Sequence, residues 1–391
     1  MDKLVTINLL ICLTFSISAA IGFIIVPRIV MISRRKGLYD FVNERKVHTT
    51  QVPRLGGVSF LPALLFSVSF VMGIRYLIGL EVPDSISNSV LIETLFLLCG
   101  MVVLFFIGLA DDLISVSFRY KLLSQIMVAL LMILSGVYVN DMHGFLGIHA
   151  IPSWAGYLLT IILVCFVINA INLIDGIDGL ASGLSSIALA SLGFWFLGQG
   201  LFVYSMLALA MLGVIIPFFI YNVFGRKYKI FMGDTGSLLI GYLIAFLSAK
   251  LCMVSVSGPV FDFKGAPIFI FAILFIPLFD AARVFIERMR AGKSPFYPDK
   301  THIHHKFLAL GFSHRQTMVA IILIEGAVIM VDIILSQYLD ITLMFFANIV
   351  LGVFMMLVLH RIQSKIDEDE AEHTPLTPFK RVSVEKINER V

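Results

Sequence analysis

The chain has 391 residues, of which 59% are hydrophobic and 14% are charged, and its mean hydropathy is +0.96. A soluble protein of this length does not need so much apolar surface, so the composition excludes that class and predicts an all-α, polytopic integral membrane protein. The net charge is only +3, and no basic patch interleaved with aromatic residues occurs, so nucleic acid is not an expected partner.

Apolar runs long enough to cross a membrane follow one another along the chain. A bilayer core about 30 Å thick needs roughly 20 apolar residues per helical crossing. Eleven runs satisfy this requirement, at residues 4–32, 55–79, 90–110, 121–139, 154–174, 179–199, 201–223, 237–257, 266–287, 317–337 and 340–360. They predict about eleven transmembrane helices in a domain of residues 1–360, followed by a polar cytoplasmic tail, residues 361–391, that is flexible or loosely helical.

The distribution of basic residues predicts how these helices are oriented, because cytoplasmic loops collect Lys and Arg. With the N-terminus outside, the only basic residues on the outer side, among 29 in all, are Lys3, Arg75, Lys250 and Lys264. We therefore expect an N-out, C-in topology. This topology assigns every conspicuous polar cluster of the sequence to the cytoplasmic face.

Two adjacent aspartates, in "GLADDL", end the third predicted helix. Asp111 and Asp112 lie at a helix C-terminus, where the dipole is already negative, so each carboxylate is unfavourable by about 0.3–1 kcal/mol. Such a pair requires a cation, a proton donor or a metal, and Lys121 starts the next predicted helix close by. The alternative is that the pair begins a solvated loop.

The stretch "NAINLIDGIDGLASG" places polar residues at the cytoplasmic end of the fifth predicted helix. Asn169, Asn172 and Asp175 occur at intervals of three and lie along one slowly turning face. Polar groups there are costly unless they face a cavity or a partner. For Asn169 we expect only an interhelical hydrogen bond. Asp178 has an alternative role as the cap of the sixth helix.

The eighth predicted helix begins within "FMGDTGSLLIG". Asp234 is a candidate N-cap of this helix. The small residues around it also suit a phosphate group, because free N–H groups at a helix N-terminus point at an anion. Phe231, just before the helix, either faces lipid or stacks on a base.

The longest cytoplasmic loop, "ERMRAGKSPFYPDKTHIHHKF", gathers basic residues and histidines. His302, His304 and His305 lie within four positions. Zinc is not expected, because no cysteine and no suitably spaced carboxylate accompanies them. A basic, imidazole-rich loop near carboxylate-bearing sites predicts a clamp for a multiply charged anion. A positive-inside loop without a ligand is the alternative.

These clusters together predict phosphoryl transfer. Oxygen ligands without cysteine favour a hard cation, Mg²⁺ or Mn²⁺, which binds one or two protein oxygens together with substrate phosphates. In this chemistry the protein positions the reactants and neutralises their charge. The membrane setting favours a lipid phosphate as one substrate and a soluble nucleotide conjugate as the other.

The motifs "GLADDL", "NAINLIDGIDGLASG", "FMGDTGSLLIG" and "PDKTHIHHKF" occur in this order, within about residues 30–310. They closely resemble the motifs of the polyprenyl-phosphate N-acetylhexosamine-1-phosphate transferases, glycosyltransferase family 4. The interrupted run His-Ile-His-His looks more like the GlcNAc-1-phosphate branch. The phospho-MurNAc-pentapeptide branch, whose loop tends to carry three consecutive histidines, is the alternative within the family.

The resemblance implies a role for each cluster. Asn172 and Asp234 match the family's magnesium ligands. Asp111 and Asp112 match its catalytic aspartates, and Lys121 matches a lysine that meets the phosphates. Residues that match the nucleotide-sugar site are Asp175, Asp178, Phe231, which stacks on the base, His302, His304 and His305.

The implied reaction transfers a sugar 1-phosphate, with GlcNAc-1-phosphate favoured, from a UDP-N-acetylhexosamine to undecaprenyl phosphate at the bacterial inner membrane. A phosphate oxygen of the lipid displaces UMP directly, or through an aspartyl-phosphate intermediate. The product starts a cell-envelope polysaccharide. Members of the family commonly pair, which implies a homodimer. An ion-coupled transporter is the rival from another class, although carriers hold their carboxylates near the midplane.

Overall fold

The computed structural model describes residues 3–38, 52–80, 88–254, 265–294 and 301–373. Its regular elements are helical, which confirms the predicted all-α class. The helices are α1 (Lys3–Lys36), α2 (Phe60–Leu77), α3 (Asn88–Ile114), α4 (Phe118–Leu134), α5 (Ser153–Ile174), α6 (Leu180–Gly198), α7 (Phe202–Phe224), α8 (Gly233–Met253), α9 (Ala266–Ile273), α10 (Phe275–Arg290), α11 (Ile303–Ala309), α12 (His314–Leu335) and α13 (Ile341–His373).

The helix lengths are those of a polytopic membrane protein. In the described ranges, nine helices are long and apolar enough to cross a membrane, and the bent pair α9–α10 makes a tenth. The remaining predicted run, 121–139, forms α4, whose 17 residues are fewer than the roughly 20 of a straight crossing. Helix α13 continues to His373, so the first part of the predicted tail is helical.

Helix α8 is the most deeply buried of the candidate spans, and α3 and α5 lie along it. Glycines allow its first turn to be approached closely. A Cβ added to Gly57, in the 3₁₀ turn Gly56–Ser59, would lie 2.0 Å from Gly236 N, and one added to Gly108 would lie 2.5 Å from Thr235 Cα. Backbone therefore packs directly on backbone where α8 begins.

Replacing Gly57 with alanine is expected to lower the free energy of unfolding by about 1–3 kcal/mol, because the added methyl group overpacks this contact. Gly73→Ala is the matched control, since no heavy atom lies within 4 Å of a Cβ at that position of α2. The thermal midpoints of the two purified variants in detergent measure the difference. Equal midpoints would show that the contact does not set the position of α8.

Helices α9 and α10 are separated by a bend of 79°. A break of this kind leaves backbone N–H groups of α10 without partners in their own helix. Glu325 of α12, which is fully buried, accepts a hydrogen bond from Ile276 N at 2.9 Å. The bend is therefore stabilised by a side chain from another helix, and it directs α10 toward α11.

A buried polar cluster joins α3, α7 and α8 at the end of α8 away from Asp234. Lys250 Nζ lies 2.8 Å from Glu93 Oε1, and the Tyr204 hydroxyl donates to Glu93 Oε2. The ammonium also lies 5.1 Å from the centre of the Tyr204 ring. Each charged group thus has a partner, as burial requires.

Candidate active site

Side chains from three helices meet where α3 ends and α8 begins. Lys121 Nζ, near the start of α4, lies 2.6 Å from Asp234 Oδ2 and 3.2 Å from Asp111 Oδ2. All three side chains are half-buried. The ammonium neutralises two carboxylates that would otherwise repel each other in a poorly solvated place. Lys121 is therefore a cation of the kind that the aspartate pair requires.

Asp112 points to the N-terminus of α8. Its Oδ1 accepts a hydrogen bond from Asp234 N (2.7 Å), and its Oδ2 accepts from Thr235 N (3.0 Å) and Thr235 Oγ1 (2.6 Å). A carboxylate of α3 thus caps α8 and complements its dipole. Asp234 does not cap its own helix, so its side chain is left to pair with Lys121.

The same contacts correct the idea that the start of α8 binds phosphate. The N–H groups of Asp234 and Thr235 would be the donors in such a site. Both already donate to the Asp112 carboxylate. An intramolecular anion therefore takes the position that was considered for a phosphate group.

Asn172, at the end of α5, lies beside Asp234. Its Nδ2 donates to Ser237 Oγ at 2.8 Å, and its side chain also hydrogen-bonds the Asp234 carboxylate. Its Oδ1 receives no hydrogen bond from the part of the chain that the structure describes. The two residues that resemble metal ligands thus lie side by side, and each carries a side-chain oxygen.

A cavity of about 290 Å³ opens next to these residues, between α4, α5 and α8. Asn169 Nδ2 donates on its wall to Gln125 Oε1 (2.7 Å) and to Cys165 O (2.7 Å), which confirms the expected interhelical hydrogen bond. The residues that line the cavity are Val116, Phe118, Lys121, Gln125, Asn169, Asn172, Leu173 and Leu238. The lining of the cavity is therefore polar and apolar in equal parts.

The oxygen atoms of Asp234 and Asn172 fit a hard divalent cation such as Mg²⁺, which prefers carboxylate, amide and phosphate oxygens. Among the described residues, no group of three or more His, Cys, Asp and Glu side chains could hold a metal ion. Magnesium commonly binds through one or two protein side chains and completes its coordination with water and substrate. The donor set accords with such an ion.

The turn after α5 is held by residues that the sequence did not single out. Asp178 Oδ2 accepts from Lys229 Nζ (2.6 Å), and Asp178 Oδ1 lies 3.4 Å from Asn222 Nδ2. Asn222 Oδ1 also accepts from Gly179 N at 2.6 Å. Gly179, with φ +82°, precedes α6, which has no side-chain cap. Asp178 therefore forms an ion pair and does not cap that helix.

Asp175 ends α5 in the same electrostatic neighbourhood. Burial, reinforced by the negative charge of Asp234 and opposed by Arg54, raises the pKa of Asp175 to about 7. This carboxyl therefore gains and loses its proton near neutral pH. Arg54 belongs to the loop "RKVHTTQVPRLGG", of which residues 45–51 lie outside the described residues.

Phe231 is held to this loop through its backbone. Its N–H donates to Pro53 O (2.8 Å), and its carbonyl oxygen accepts from Gly56 N (3.0 Å). The ring is half-buried. Its stacking on a base stays a prediction.

Helix α11 brings the histidines to the turn after α5. The His304 ring packs on Gly176 so closely that a Cβ added to this glycine would lie 2.2 Å from His304 Nε2. The rings of His302 and His304 are parallel, with centres 5.8 Å apart, and the His304 and His305 centres are 4.2 Å apart. The histidines therefore contact the segment that carries Asp175.

The histidines are not a uniform cluster of positive charge, and the expected anion clamp stays a prediction. Burial, together with the neighbouring His305 and His302, lowers the pKa of His304 to about 3, so this ring is neutral. His302 is also buried, and its Nδ1 lies 2.8 Å from Asp280 Oδ2. Lys300, one of the basic residues of the same loop, lies outside the described residues.

The sequence of this chain is similar to those of known proteins. The model of glycosyl transferase family 4 matches residues 94–252. The undecaprenyl-phosphate alpha-N-acetylglucosaminyl 1-phosphate transferase of Escherichia coli (strain K12) is 33% identical over 318 residues, 78% of each chain, and that of Salmonella typhi is 35% identical over 298 residues, 73% of each chain. The probable undecaprenyl-phosphate N-acetylglucosaminyl 1-phosphate transferase of Bacillus subtilis (strain 168) is 31% identical over 356 residues, 89% of this chain and 91% of that one.

The chain belongs to glycosyl transferase family 4. Residues 94–252 of this family 4 protein run from α3 to α8 and contain the aspartates, the lysine and Asn172. The histidines lie beyond this range. The contact of His304 with Gly176 joins them to it in space.

Proposed function

We propose that this family 4 protein transfers GlcNAc-1-phosphate from UDP-GlcNAc to undecaprenyl phosphate and releases UMP. The lipid-linked product would start synthesis of a cell-envelope polysaccharide. The observation that carries the proposal is the convergence of Asp111, Lys121, Asn172 and Asp234 beside a cavity at one end of the bundle. The names of the relatives in Escherichia coli and Bacillus subtilis point to the same lipid phosphate and sugar.

The proposal includes the orientation of the protein in the bacterial inner membrane. With the N-terminus outside, and with α4 counted as a short crossing and α9–α10 as one bent crossing, eleven crossings would put this end of the bundle at the cytoplasmic face. Soluble UDP-sugars are available there, and the basic residues concentrate on that side. Pairing of two copies stays a prediction.

Direct displacement is the mechanism that these contacts favour. An oxygen of the lipid phosphate forms a bond to the sugar-linked phosphorus, the bond from this phosphorus to the bridging oxygen breaks, and UMP leaves with the electron pair. Both oxygens of Asp112 accept hydrogen bonds from α8, and Asp111 is engaged by Lys121 and Val116 N. Neither carboxylate is a free nucleophile, which argues against an aspartyl-phosphate.

The residues around Asp111 then have defined tasks. Asp234 and Asn172 would hold Mg²⁺ or Mn²⁺, which when bound offsets the charge of the two approaching phosphates. Lys121 attracts the phosphates and keeps Asp111 and Asp234 from repelling each other. Asp112 holds the start of α8, and thereby Asp234, in position. The residues proposed for the UDP-sugar are Asp175, Asp178, Phe231, His302, His304 and His305.

A panel of donors tests this function. Purified protein in detergent is given undecaprenyl phosphate, Mg²⁺ and, in separate reactions, UDP-GlcNAc, UDP-GalNAc or UDP-MurNAc-pentapeptide, and UMP release is measured. UDP-GlcNAc should give the fastest release, and none should occur without the lipid. Preference for UDP-MurNAc-pentapeptide would assign the protein to the phospho-MurNAc-pentapeptide branch of the family. Absence of release with every donor would contradict the proposal and favour a carrier.

Gly176→Ala is expected to lower UMP release by about 10- to 100-fold, because a displacement of about 1 Å at a substrate site has effects of this size. The added methyl group would push the His304 ring away from the turn that carries Asp175. Gly326→Ala, on α12, is the matched control, since nothing lies within 4 Å of its Cβ position. Equal activities of the two variants would show that the contact between His304 and Gly176 is not needed for the reaction.

A further inference from the structure

Asp280, on α10, is a buried carboxylate that none of the tasks above uses. It is 2% exposed. Its Oδ1 accepts hydrogen bonds from Arg283 Nη2 (2.7 Å) and from Ile303 N (3.0 Å), and its Oδ2 lies 2.8 Å from His302 Nδ1. Asp280 therefore ties α10 to the first residue of α11 and to one histidine at the same time.

The partners of His302 decide where its proton lies. Its Nε2 is 3.4 Å from Arg288 Nη2. A guanidinium only donates hydrogen bonds, so Nε2 must accept and the proton must be on Nδ1. The tautomer with its proton on Nδ1 is also the one that can donate to the Asp280 carboxylate. Arg288, His302 and Asp280 thus form a hydrogen-bonded series in which each donor meets an acceptor.

We propose that Asp280 is a positioning residue for the UDP-sugar site, acting by holding His302 in the Nδ1–H form so that Nε2 orients the Arg288 guanidinium. This inference rests on the proposed function. Arg288 is 3% exposed. A guanidinium binds a phosphate through a rigid fork of N–H donors, so the direction of this fork must be fixed for binding. His302 also stacks parallel to His304, which packs on Gly176, so the position of His302 affects the turn after α5.

Asp280→Asn tests the proposal because it keeps the shape of the side chain and turns the acceptor that faces His302 into a donor, although it also removes the charge that faces Arg283. The amide oxygen still accepts from Ile303 N, but the amide NH₂ faces His302 Nδ1. The ring must then accept at Nδ1 and carry its proton on Nε2, where it opposes the N–H groups of Arg288. We expect KM for UDP-GlcNAc to rise about 10- to 100-fold, as when other supporting partners of site histidines are lost, while KM for undecaprenyl phosphate is unchanged.

The matched control is Asp332→Asn. Asp332 is another buried carboxylate on a long apolar helix, and Asn348 Nδ2 donates to it at 2.6 Å. Asp332 is assigned no task at the candidate site, and its replacement should leave both KM values unchanged. Thermal midpoints of both variants show whether each one folds. If Asp280→Asn does not fold, Asp280→Glu is measured instead, because it keeps the charge but shifts the carboxylate, and it should raise the same KM.

A double-mutant cycle with His302→Gln separates positioning from general support of the fold. Without the imidazole there is no tautomer to set, so Asp280→Asn should add no further rise in KM for UDP-GlcNAc to that of His302→Gln. Additive effects, or an unchanged KM in an active Asp280→Asn protein, would overturn the inference and leave the proposed function intact. An inactive wild-type protein would instead overturn the proposed function, and the inference with it.

Discussion

Replacing Asp234 with asparagine is expected to reduce UMP release by about a thousandfold, the size of effect seen when one preorganised charge-stabilising group is removed from an active site. The change removes the negative charge that lies 2.6 Å from Lys121 and adjoins Asn172. It therefore weakens the cation site and leaves the lysine poorly oriented. The asparagine oxygen can still accept from Lys121, so the protein should fold.

Rates at rising Mg²⁺ concentration make this prediction specific. Asp332→Asn serves again as the control and should have the wild-type rate at every concentration. For Asp234→Asn we expect the rate to stay low or to recover only with much more Mg²⁺. A rate close to that of the wild type at ordinary Mg²⁺ would show that Asp234 is not at the reacting centre.

Asparagine substitutions at the neighbouring residues Asp111 and Asp112 are expected to have different consequences. Asp112→Asn places an amide donor against the N–H groups and the hydroxyl at the start of α8, which should destabilise the protein by about 1–3 kcal/mol and also lower activity. Asp111→Asn keeps an acceptor for Val116 N at 2.7 Å and should lower activity while the protein stays folded.

Thermal midpoints and UMP release, measured on the same preparations, distinguish the two variants. The expected result is a low midpoint for Asp112→Asn only, with reduced activity for both. Equal midpoints would contradict the assignment of Asp112 as the residue that positions α8. Wild-type activity of the Asp111→Asn variant would show that Asp111 takes no part in the reaction.

The sequence predicted the central part of the site because short motifs and topology bring it together. Asn172 and Asp234 lie far apart in the chain, but the order of the motifs and one consistent orientation of the helices placed both at the same end. Lys121 followed from the charge of Asp111, since a carboxylate pair at a helix C-terminus requires a cation. Physical requirements of this kind can be read from residue types alone.

The contacts that the sequence did not predict depend on how particular helices pack. Asp112 caps α8 only because Gly57 and Gly108 let their segments approach its first turn, which no local pattern reveals. The run 266–287 was predicted as one crossing, yet it bends by 79° where Glu325, from a helix far along the chain, accepts from Ile276 N.

Some of the missed residues did carry a signal. Asp280 and Arg283 are an oppositely charged pair three positions apart inside an apolar run, where charges are costly without a reason. This spacing could have marked Asp280 as a residue of interest. Asn222 and Lys229 had no such mark, because their importance depends on the turn at Asp178, which they reach only in the folded chain.

Isotope exchange tests the central claim, direct phosphoryl transfer at this cluster, most directly. Labelled UMP is incubated with UDP-GlcNAc, Mg²⁺ and the purified protein, with or without the lipid product GlcNAc-pyrophosphoryl-undecaprenol. One pyrophosphate bond forms as another breaks, so the reaction should be reversible, and label should enter UDP-GlcNAc only when the lipid product is present. Exchange without lipid would require a covalent enzyme intermediate, and absence of exchange in both reactions would contradict phosphoryl transfer by this protein.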